Sequence, residues 1–280
     1  MKTTLPLAFA CVAFLTALSA AAQQPSQAPD PQLQQGISLD LQGNYEEART
    51  HIKRAIDTAT TPDAASRATR ALAVSYAFES KCTEAAAVEA PLYEKALAAK
   101  GFNDAGELAN ELARICLESG DAAQAEAWYR KGFEAGKQDT TNQNSGPELW
   151  TFRWEHAQAR IAARRSQKAE AATHVAAAKA VLDSGKLPQQ QAAFFPYLTG
   201  YVALYTNNLK VAEAELNRAL AIQGNQNDPF MNLLLAMTYE KLGDADKAKT
   251  LYEKSYSLAT AHNPPAAFSR PYTRKKLGIS

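Results

Sequence analysis

The sequence has few of the residues that interrupt long helices, and it has almost no net charge. It contains 13 Gly and 13 Pro in 280 residues, a balance that favours helices over short strands joined by turns. The formal net charge is +1, which gives no sign of a strongly basic surface for nucleic acid or for an anionic membrane. The four His and three Cys residues are scattered, without the spacing of a zinc site.

The known motifs of catalysis and cofactor binding are also missing. The sequence has no His-Glu-x-x-His, no Gly-rich phosphate loop, no dinucleotide-binding fingerprint and no Gly-x-Ser-x-Gly. Its Asp and Glu residues fall at turns and on the exposed faces of predicted helices, as in "NYEEA" and "DADKA", where charged residues usually face solvent. We therefore predict no cofactor, no metal and no enzymatic activity. The remaining alternative is a hydrolase whose acidic residues meet only in the folded chain.

Residues 1–22 have the pattern of a secretory signal peptide. Lys2 precedes an apolar run from Leu5 to Leu18, and small residues follow that run. The run is short for a membrane span, and an uncleaved anchor is the alternative interpretation. We expect an exported bacterial protein, periplasmic or secreted, with a Pro- and Gln-rich disordered leader over residues 23–31. No other segment of the sequence is apolar for long enough to cross a bilayer.

A pattern of one turn and two small residues recurs six times. In each copy an Ala lies five residues after the first turn residue, and a Gly or Ala lies seven residues before it. Antiparallel helices approach closely where both carry a small side chain, so the pattern predicts six helical hairpins. The turns begin at Gly43, Ser80, Gly120, Ser166, Asn207 and Gly243. The residues five positions later are Ala48, Ala85, Ala125, Ala171, Ala212 and Ala248, and the preceding small residues are Gly36, Ala73, Ala113, Ala159, Gly200 and Ala236.

This pattern resembles the tetratricopeptide repeat (TPR), a helical hairpin that stacks on its neighbours, although its spacing here is longer than the usual 34 residues. The resemblance implies an all-α fold, an α-solenoid of about six antiparallel hairpins in a right-handed superhelix with a C-terminal cap. Another α-solenoid with longer repeats, such as the HEAT type, is the alternative. The predicted array covers residues 32–262, with units near 29–62, 66–103, 106–139, 151–186, 193–226 and 229–262, and the predicted cap covers 263–280.

Two units depart from the pattern. The second unit has Glu89 where most other units carry a large apolar residue, and Pro91 is expected to kink its second helix. In the fourth unit the first helix has two alternative alignments, one fixed by Ala159 and one by Trp154. A polar stretch over residues 136–148 predicts a longer loop between the third and fourth units.

The resemblance implies a non-catalytic scaffold or adaptor that binds a protein or peptide on its concave face. The alternative is a structural subunit of an envelope assembly or secretion complex. In TPR proteins the groove is lined mainly by the first helix of each hairpin. Mapping those helices onto this sequence gives a predicted binding face of Arg67, Arg70, Asn110, Arg114, Arg153, His156, Arg160, Phe194, Tyr197, Tyr201, Tyr205, Phe230, Leu233 and Met237.

Some of these assignments stay open at the level of the sequence. Arg153, His156 and Arg160 face the groove only in the alignment fixed by Ala159. The aromatic stripe from Phe194 to Tyr205 has helical spacing, and such a stripe can instead pack in the core.

Two cysteines remain after removal of the predicted signal peptide. Cys82 opens the second helix of the second unit, and Cys116 lies late in the first helix of the third unit. In a stacked array these helix ends are expected to lie side by side. A disulfide in an oxidising compartment and two buried thiols are both compatible with this placement.

Overall fold

The computed structural model describes residues 30–140 and 147–279, which form thirteen α-helices and no strand. The predicted signal peptide and most of the predicted leader lie outside the described residues. Helices α1 to α12 form six consecutive hairpins, so the prediction of a TPR-like α-solenoid is confirmed. The helices are α1 Pro31–Gln42, α2 Tyr45–Asp57, α3 Pro62–Phe78, α4 Cys82–Ala98, α5 Phe102–Glu118, α6 Ala122–Gly136, α7 Pro147–Arg164, α8 Lys168–Asp183, α9 Phe195–Tyr205, α10 Leu209–Ala221, α11 Pro229–Leu242, α12 Ala245–Leu258 and α13 Pro264–Leu277.

The turn inside each hairpin has the same backbone conformation. The first residue of all six turns has a positive φ, from 58° at Ser80 to 95° at Gly120. This left-handed conformation ends one helix and redirects the chain into the next. The second turn residue then caps the new helix in two units, because the side chains of Asp121 and Asp244 accept hydrogen bonds from backbone N–H groups three residues later (2.9 and 3.1 Å).

The two helices of each hairpin touch at the small residues. Ala212 is fully buried, and the facing Gly200 leaves no room for a larger residue. A Cβ added to Gly200 would lie 2.7 Å from Cγ of Leu216, and one added to Gly36 would lie 2.5 Å from Cγ1 of Ile52. The recurring Gly and Ala residues therefore set how closely the helices approach.

A disulfide links the second and third hairpins. Cys82 at the start of α4 is bonded to Cys116 near the end of α5, and their Cα atoms are 4.7 Å apart. Both residues are buried, within a core that extends from α3 to α7. The cross-link therefore joins two hairpins that already stack on each other.

Helix α13 ends the array as predicted, but it also reaches back across the inner side. It packs against α11 and α12, and it contacts α3 and α5 from the first half of the chain. Phe268 packs against both the core of the first half and the core formed by α9 to α12. The predicted cap thus lies against first helices that line the predicted binding groove.

The last segment is also tied to the first hairpin. Arg270 Nε donates a hydrogen bond to the backbone oxygen of Leu41 (2.5 Å), and Arg274 donates one to that of Gln42. The buried carboxylate of Asp40 is hydrogen-bonded to His262 Nε2 (2.8 Å) and accepts a hydrogen bond from the Ser75 hydroxyl (2.9 Å). The two ends of the described array are therefore in direct contact.

Candidate functional site

The inner side of the array contains two cavities beside α13. We name the first the arginine cavity, with a volume of about 390 Å³, and the second the aromatic cavity, with a volume of about 380 Å³. Arg114 lines the first cavity, and its guanidinium lies against the rings of Phe230 and Phe268, which line the second (5.9 and 5.7 Å to the ring centroids). The arginine cavity is lined by Arg70, Glu107, Asn110, Glu111, Arg114, Tyr129, Phe152, Arg153, His156, Arg160, Gln191, Phe194, Tyr197, Asp228, Met231 and Pro264.

The aromatic cavity is lined by α13 and by residues of α3, α5, α7, α9 and α11. Its wall consists of Ala77, Phe78, Ser80, Glu118, Ser119, Arg164, Tyr205, Phe230, Leu233, Met237, Ala267, Phe268, Pro271, Tyr272 and Lys275. Five of these residues belong to α13, so the last helix of the chain forms part of this wall. The arginine cavity has a single α13 residue in its wall, Pro264.

The structure divides the predicted binding face between the two cavities. The arginine cavity contains Arg70, Asn110, Arg114, Arg153, His156, Arg160, Phe194 and Tyr197. The aromatic cavity contains Tyr205, Phe230, Leu233 and Met237. Arg67 and Tyr201 line neither cavity. Arg67 is exposed on α3, whereas Tyr201 is fully buried.

The aromatic stripe is mostly part of the core. Tyr201 donates a hydrogen bond to Glu118 Oε1 (2.9 Å) and has no exposed surface, so it cannot act as an anchor for a partner. Phe194 is not in α9, because it ends a short 3₁₀ helix, Gln189–Phe194, that precedes it. The extra turn of 3₁₀ helix leaves the Phe194 side chain 40% exposed at the edge of the arginine cavity.

Helix α7 presents its polar residues to the arginine cavity in the register fixed by Ala159. Ala159 is fully buried and packs with Ala178 of α8 and Leu198 of α9. That orientation turns Arg153, His156 and Arg160 towards the cavity. Trp154 instead stacks on Phe133 of α6 (5.3 Å between ring centroids).

Two layers of charged residues follow one another along α5 and α7. In one layer Arg164 and Glu118 form an ion pair (3.0 Å), and Glu118 has only 6% of its side chain exposed. In the other layer, one helical turn away, Arg114 and Arg160 both line the arginine cavity. Among the described residues neither of these two is paired with a carboxylate.

The partners of Arg160 are neutral. Its Nη2 donates a hydrogen bond to the Tyr129 hydroxyl (2.7 Å), and the residue is only 5% exposed. The other two arginines of the cavity are neutralised, since Arg153 pairs with Glu107 (2.6 Å) and Arg70 pairs with Glu111. The positive charge of the cavity is therefore concentrated at Arg114 and Arg160.

Two buried polar atoms in the wall of the arginine cavity have no hydrogen-bond partner among the described residues. They are Nε2 of His156 and the hydroxyl of Tyr197. Burial, reinforced by the charge of Arg160, holds the pKa of His156 well below its ordinary value, so the imidazole is neutral. Burial also raises the pKa of Tyr197, so its hydroxyl keeps its proton. Unpaired buried polar groups are uncommon in folded proteins, and both residues belong to the wall of a cavity that can hold a ligand.

Glu89 has a strongly raised pKa but lines neither cavity. Glu89 is completely buried, and burial, together with the negative charge of Glu111, raises its pKa to about 9. Its carboxyl oxygens have no hydrogen bond, and the nearest cation is Arg70, with Nε 3.7 Å from Oε1. A general acid must contact its substrate, so Glu89 gives no support to the hydrolase alternative.

Several residues of the site have no signal in the repeat pattern. Tyr129 is buried in the core of the first half, yet it also lines the cavity, and its hydroxyl accepts the hydrogen bond from Arg160. Phe268 belongs to a segment after the last repeat, and no periodicity indicates that it would reach α5. In the described parts of the chain, no group of three or more His, Cys, Asp or Glu residues could hold a metal ion, and no helix is both long and apolar enough to cross a membrane.

Two segments of the chain match known protein families. Residues 231–262 and residues 107–131 each match a model described as a tetratricopeptide repeat. The first segment covers most of α11 and all of α12, and the second covers parts of α5 and α6. Both matches support a TPR protein. No curated protein matches the chain.

Proposed function

We propose that the protein is a non-catalytic scaffold or adaptor that binds a protein or peptide at the arginine cavity. TPR repeats are generally protein-interaction modules, and helical arrays present curved inner surfaces for this use. The observation that favours the arginine cavity is the difference between the two cavities in how much of the wall belongs to α13. Five residues of α13 form part of the wall of the aromatic cavity, whereas the arginine cavity has one α13 residue in its wall and an exposed aromatic residue, Phe194, at its edge.

The composition of the arginine cavity also supports recognition rather than catalysis. It combines apolar side chains (Phe152, Phe194 and Met231) with arginines, and aromatic residues and Arg are the types that dominate binding energy at protein interfaces. It contains no nucleophile paired with a base. The peptide that fits is one with an apolar side chain beside a polar or acidic group.

Site-specific photo-crosslinking in the native organism tests this proposal. The photoreactive residue p-benzoylphenylalanine replaces Phe194 in one variant and Val211 in a matched control. The two side chains are almost equally exposed, 40% and 42%, but Val211 lies on α10 and lines neither cavity. We expect one partner to be cross-linked at Phe194 and not at Val211. Identical adducts at both positions, or none at Phe194, would contradict a binding site at this cavity.

We also propose that the protein is exported, which rests on the signal-peptide pattern of residues 1–22. The disulfide between Cys82 and Cys116 supports an oxidising compartment, because such bonds are rare in the cytosol of most organisms. Cell fractionation followed by N-terminal sequencing tests the proposal. We expect the mature chain to begin near Gln23 and to be recovered outside the cytoplasm. A full-length cytoplasmic chain that retains Met1 would contradict it.

A further inference from the structure

The arginine cavity has an excess of one positive charge in its wall. Four arginines line it, together with three acidic residues, Glu107, Glu111 and Asp228. His156 is neutral, since its pKa lies well below the ordinary value, and it adds no charge. An excess of one charge matches a monoanion, whereas a phosphate monoester would bring roughly 1.5 to 2 negative charges and a polyphosphate more.

The neighbouring layer of charges shows which anion fits. Arg164 on α7 and Glu118 on α5 form a partly buried ion pair at 3.0 Å. One turn earlier on each helix, both positions carry arginine, Arg160 and Arg114. The second layer therefore has an arginine, Arg114, at the position where the first layer has the carboxylate of Glu118. Guanidinium groups bind planar carboxylates through two parallel hydrogen bonds.

Neutral donors and an apolar surface complete the arrangement. The Tyr197 hydroxyl donates a hydrogen bond if it finds an acceptor, and so does Nε2 of His156 in the tautomer that carries its proton there. Neither atom has a partner among the described residues. Phe152 and Met231 provide apolar surface in the same wall. A cavity of about 390 Å³ lies within the usual range for small ligands and single side chains.

We propose that the arginine cavity binds a carboxylate group attached to a small apolar or aromatic body, with Arg114 and Arg160 as its ion partners and Tyr197 and His156 as neutral donors. This inference rests on the proposed function, because it names the chemical group that the same cavity recognises. The carboxylate belongs either to a free organic acid or to an acidic side chain of a peptide.

Calorimetric titration with two pairs of matched probes tests the proposal and separates the two sources. The first pair is hydrocinnamate and its neutral amide, hydrocinnamamide. The second pair is the blocked dipeptide acetyl-Glu-Phe-amide and its neutral counterpart, acetyl-Gln-Phe-amide. We expect saturable binding of at least one acid, about tenfold or more tighter than its amide, since hydrogen bonds to charged groups are stronger than those to neutral groups. The acid that binds more tightly identifies the source.

Variants of one arginine show whether the preference arises in this cavity. Arg114→Gln should abolish the difference between acid and amide, and Arg114→Lys should keep part of it because the charge remains. Arg67→Gln is the control, since it removes one positive charge from an exposed position outside both cavities. Circular dichroism melting curves show whether each variant is folded.

The possible results separate this inference from the proposed function. The inference is wrong if neither acid binds more tightly than its amide, or if the preference survives in Arg114→Gln. If a partner is cross-linked at Phe194 and the acids show no preference, the proposed function stands without this inference. If the acids bind selectively and no partner is cross-linked, the cavity is a carboxylate site and the scaffold function is wrong.

Discussion

The contacts inside the hairpins and the inner wall of the array follow different rules. Each hairpin is held by the same small residues and the same left-handed turn, repeated at regular positions. The inner wall has no repeated arrangement. It contains an ion pair at Arg164 and Glu118, two arginines without a carboxylate, and an aromatic residue of α13, Phe268, that contacts both halves.

This difference shows what is constrained at each place. The hairpins must pack, and only Gly or Ala allows the close approach at positions such as Gly200. The inner wall can carry larger and charged residues, because the curvature of the array leaves space between the first helices. The fold is therefore encoded in the repeat, whereas the residues of the proposed binding site depart from it.

The largest effect on stability is expected from the disulfide, which links two stacked hairpins. Reduction of the bond between Cys82 and Cys116, which are separated by 34 positions, should cost roughly 2–4 kcal/mol of unfolding free energy. Urea denaturation with and without a reducing agent measures this loss. The double variant Cys82→Ala and Cys116→Ala should be insensitive to the reducing agent. A wild-type chain with the same stability in both conditions would show that the bond contributes nothing.

A larger residue in the hairpin contact tests the packing rule directly. Ala212→Leu should cost roughly 1–3 kcal/mol, because Ala212 is fully buried and a leucine overpacks the fifth hairpin. Ala214→Leu is the matched control, since Ala214 is exposed on the same helix. Thermal unfolding followed by circular dichroism compares the two. Equal melting temperatures would mean that the register of this hairpin is wrong.

The contact between α13 and the inner wall should contribute less. Phe268→Ala removes a half-buried ring that lies 5.5 Å from the ring of Phe230. We expect a loss of about 1–2 kcal/mol, below the roughly 3–5 kcal/mol of a fully buried Phe. Native-state hydrogen exchange should show increased exchange in α3 and α11, which contact α13. Increased exchange in α8 instead would argue against the contact.

The smallest effect is expected from Glu89, the residue that breaks the hairpin pattern. Its pKa is about 9 in the folded chain, above the ordinary value of about 4.3 that we assume for the unfolded chain. The unfolded chain therefore releases this proton first, and stability falls as the pH rises between these two values. Glu89→Gln should remove this dependence, which is at most about 1.4 kcal/mol for each pH unit.

Denaturation of wild type and Glu89→Gln at about pH 6 and about pH 7 measures how the free energy of unfolding of each protein changes with pH. The change that Glu89 causes in the wild type over this interval is at most about 1.4 kcal/mol. The variant should gain on the wild type as the pH rises. If Glu89→Gln is less stable at both pH values by the same amount, then Glu89 is ionised and paired with Arg70, contrary to our interpretation.

The fold was predictable from the sequence because its determinants are local and periodic. A turn such as Gly243-Asp244, with Ala248 five residues beyond its first residue, lies within one hairpin. The site was predictable only in part. The alignment on Ala159 brought Arg160 to the inner wall, but nothing local indicated that Tyr201 would be buried by Glu118, which lies 83 positions away. The position of α13 depends on contacts such as Arg270 with Leu41, 229 positions apart, and no repeat spacing encodes them.

The contact between α13 and α1 changes how such an array can come apart. In an open stack of repeats each unit touches only its neighbours, so local unfolding begins at the two ends. Here Arg270 and His262 tie the last segment to the first hairpin. The described helices therefore form a closed arrangement in which the last segment contacts the first hairpin. The residues that hold the first hairpin in place lie more than two hundred positions away in the sequence. Separation of the first hairpin and release of the last segment both have to break the same set of bonds, which couples the two ends of the described array.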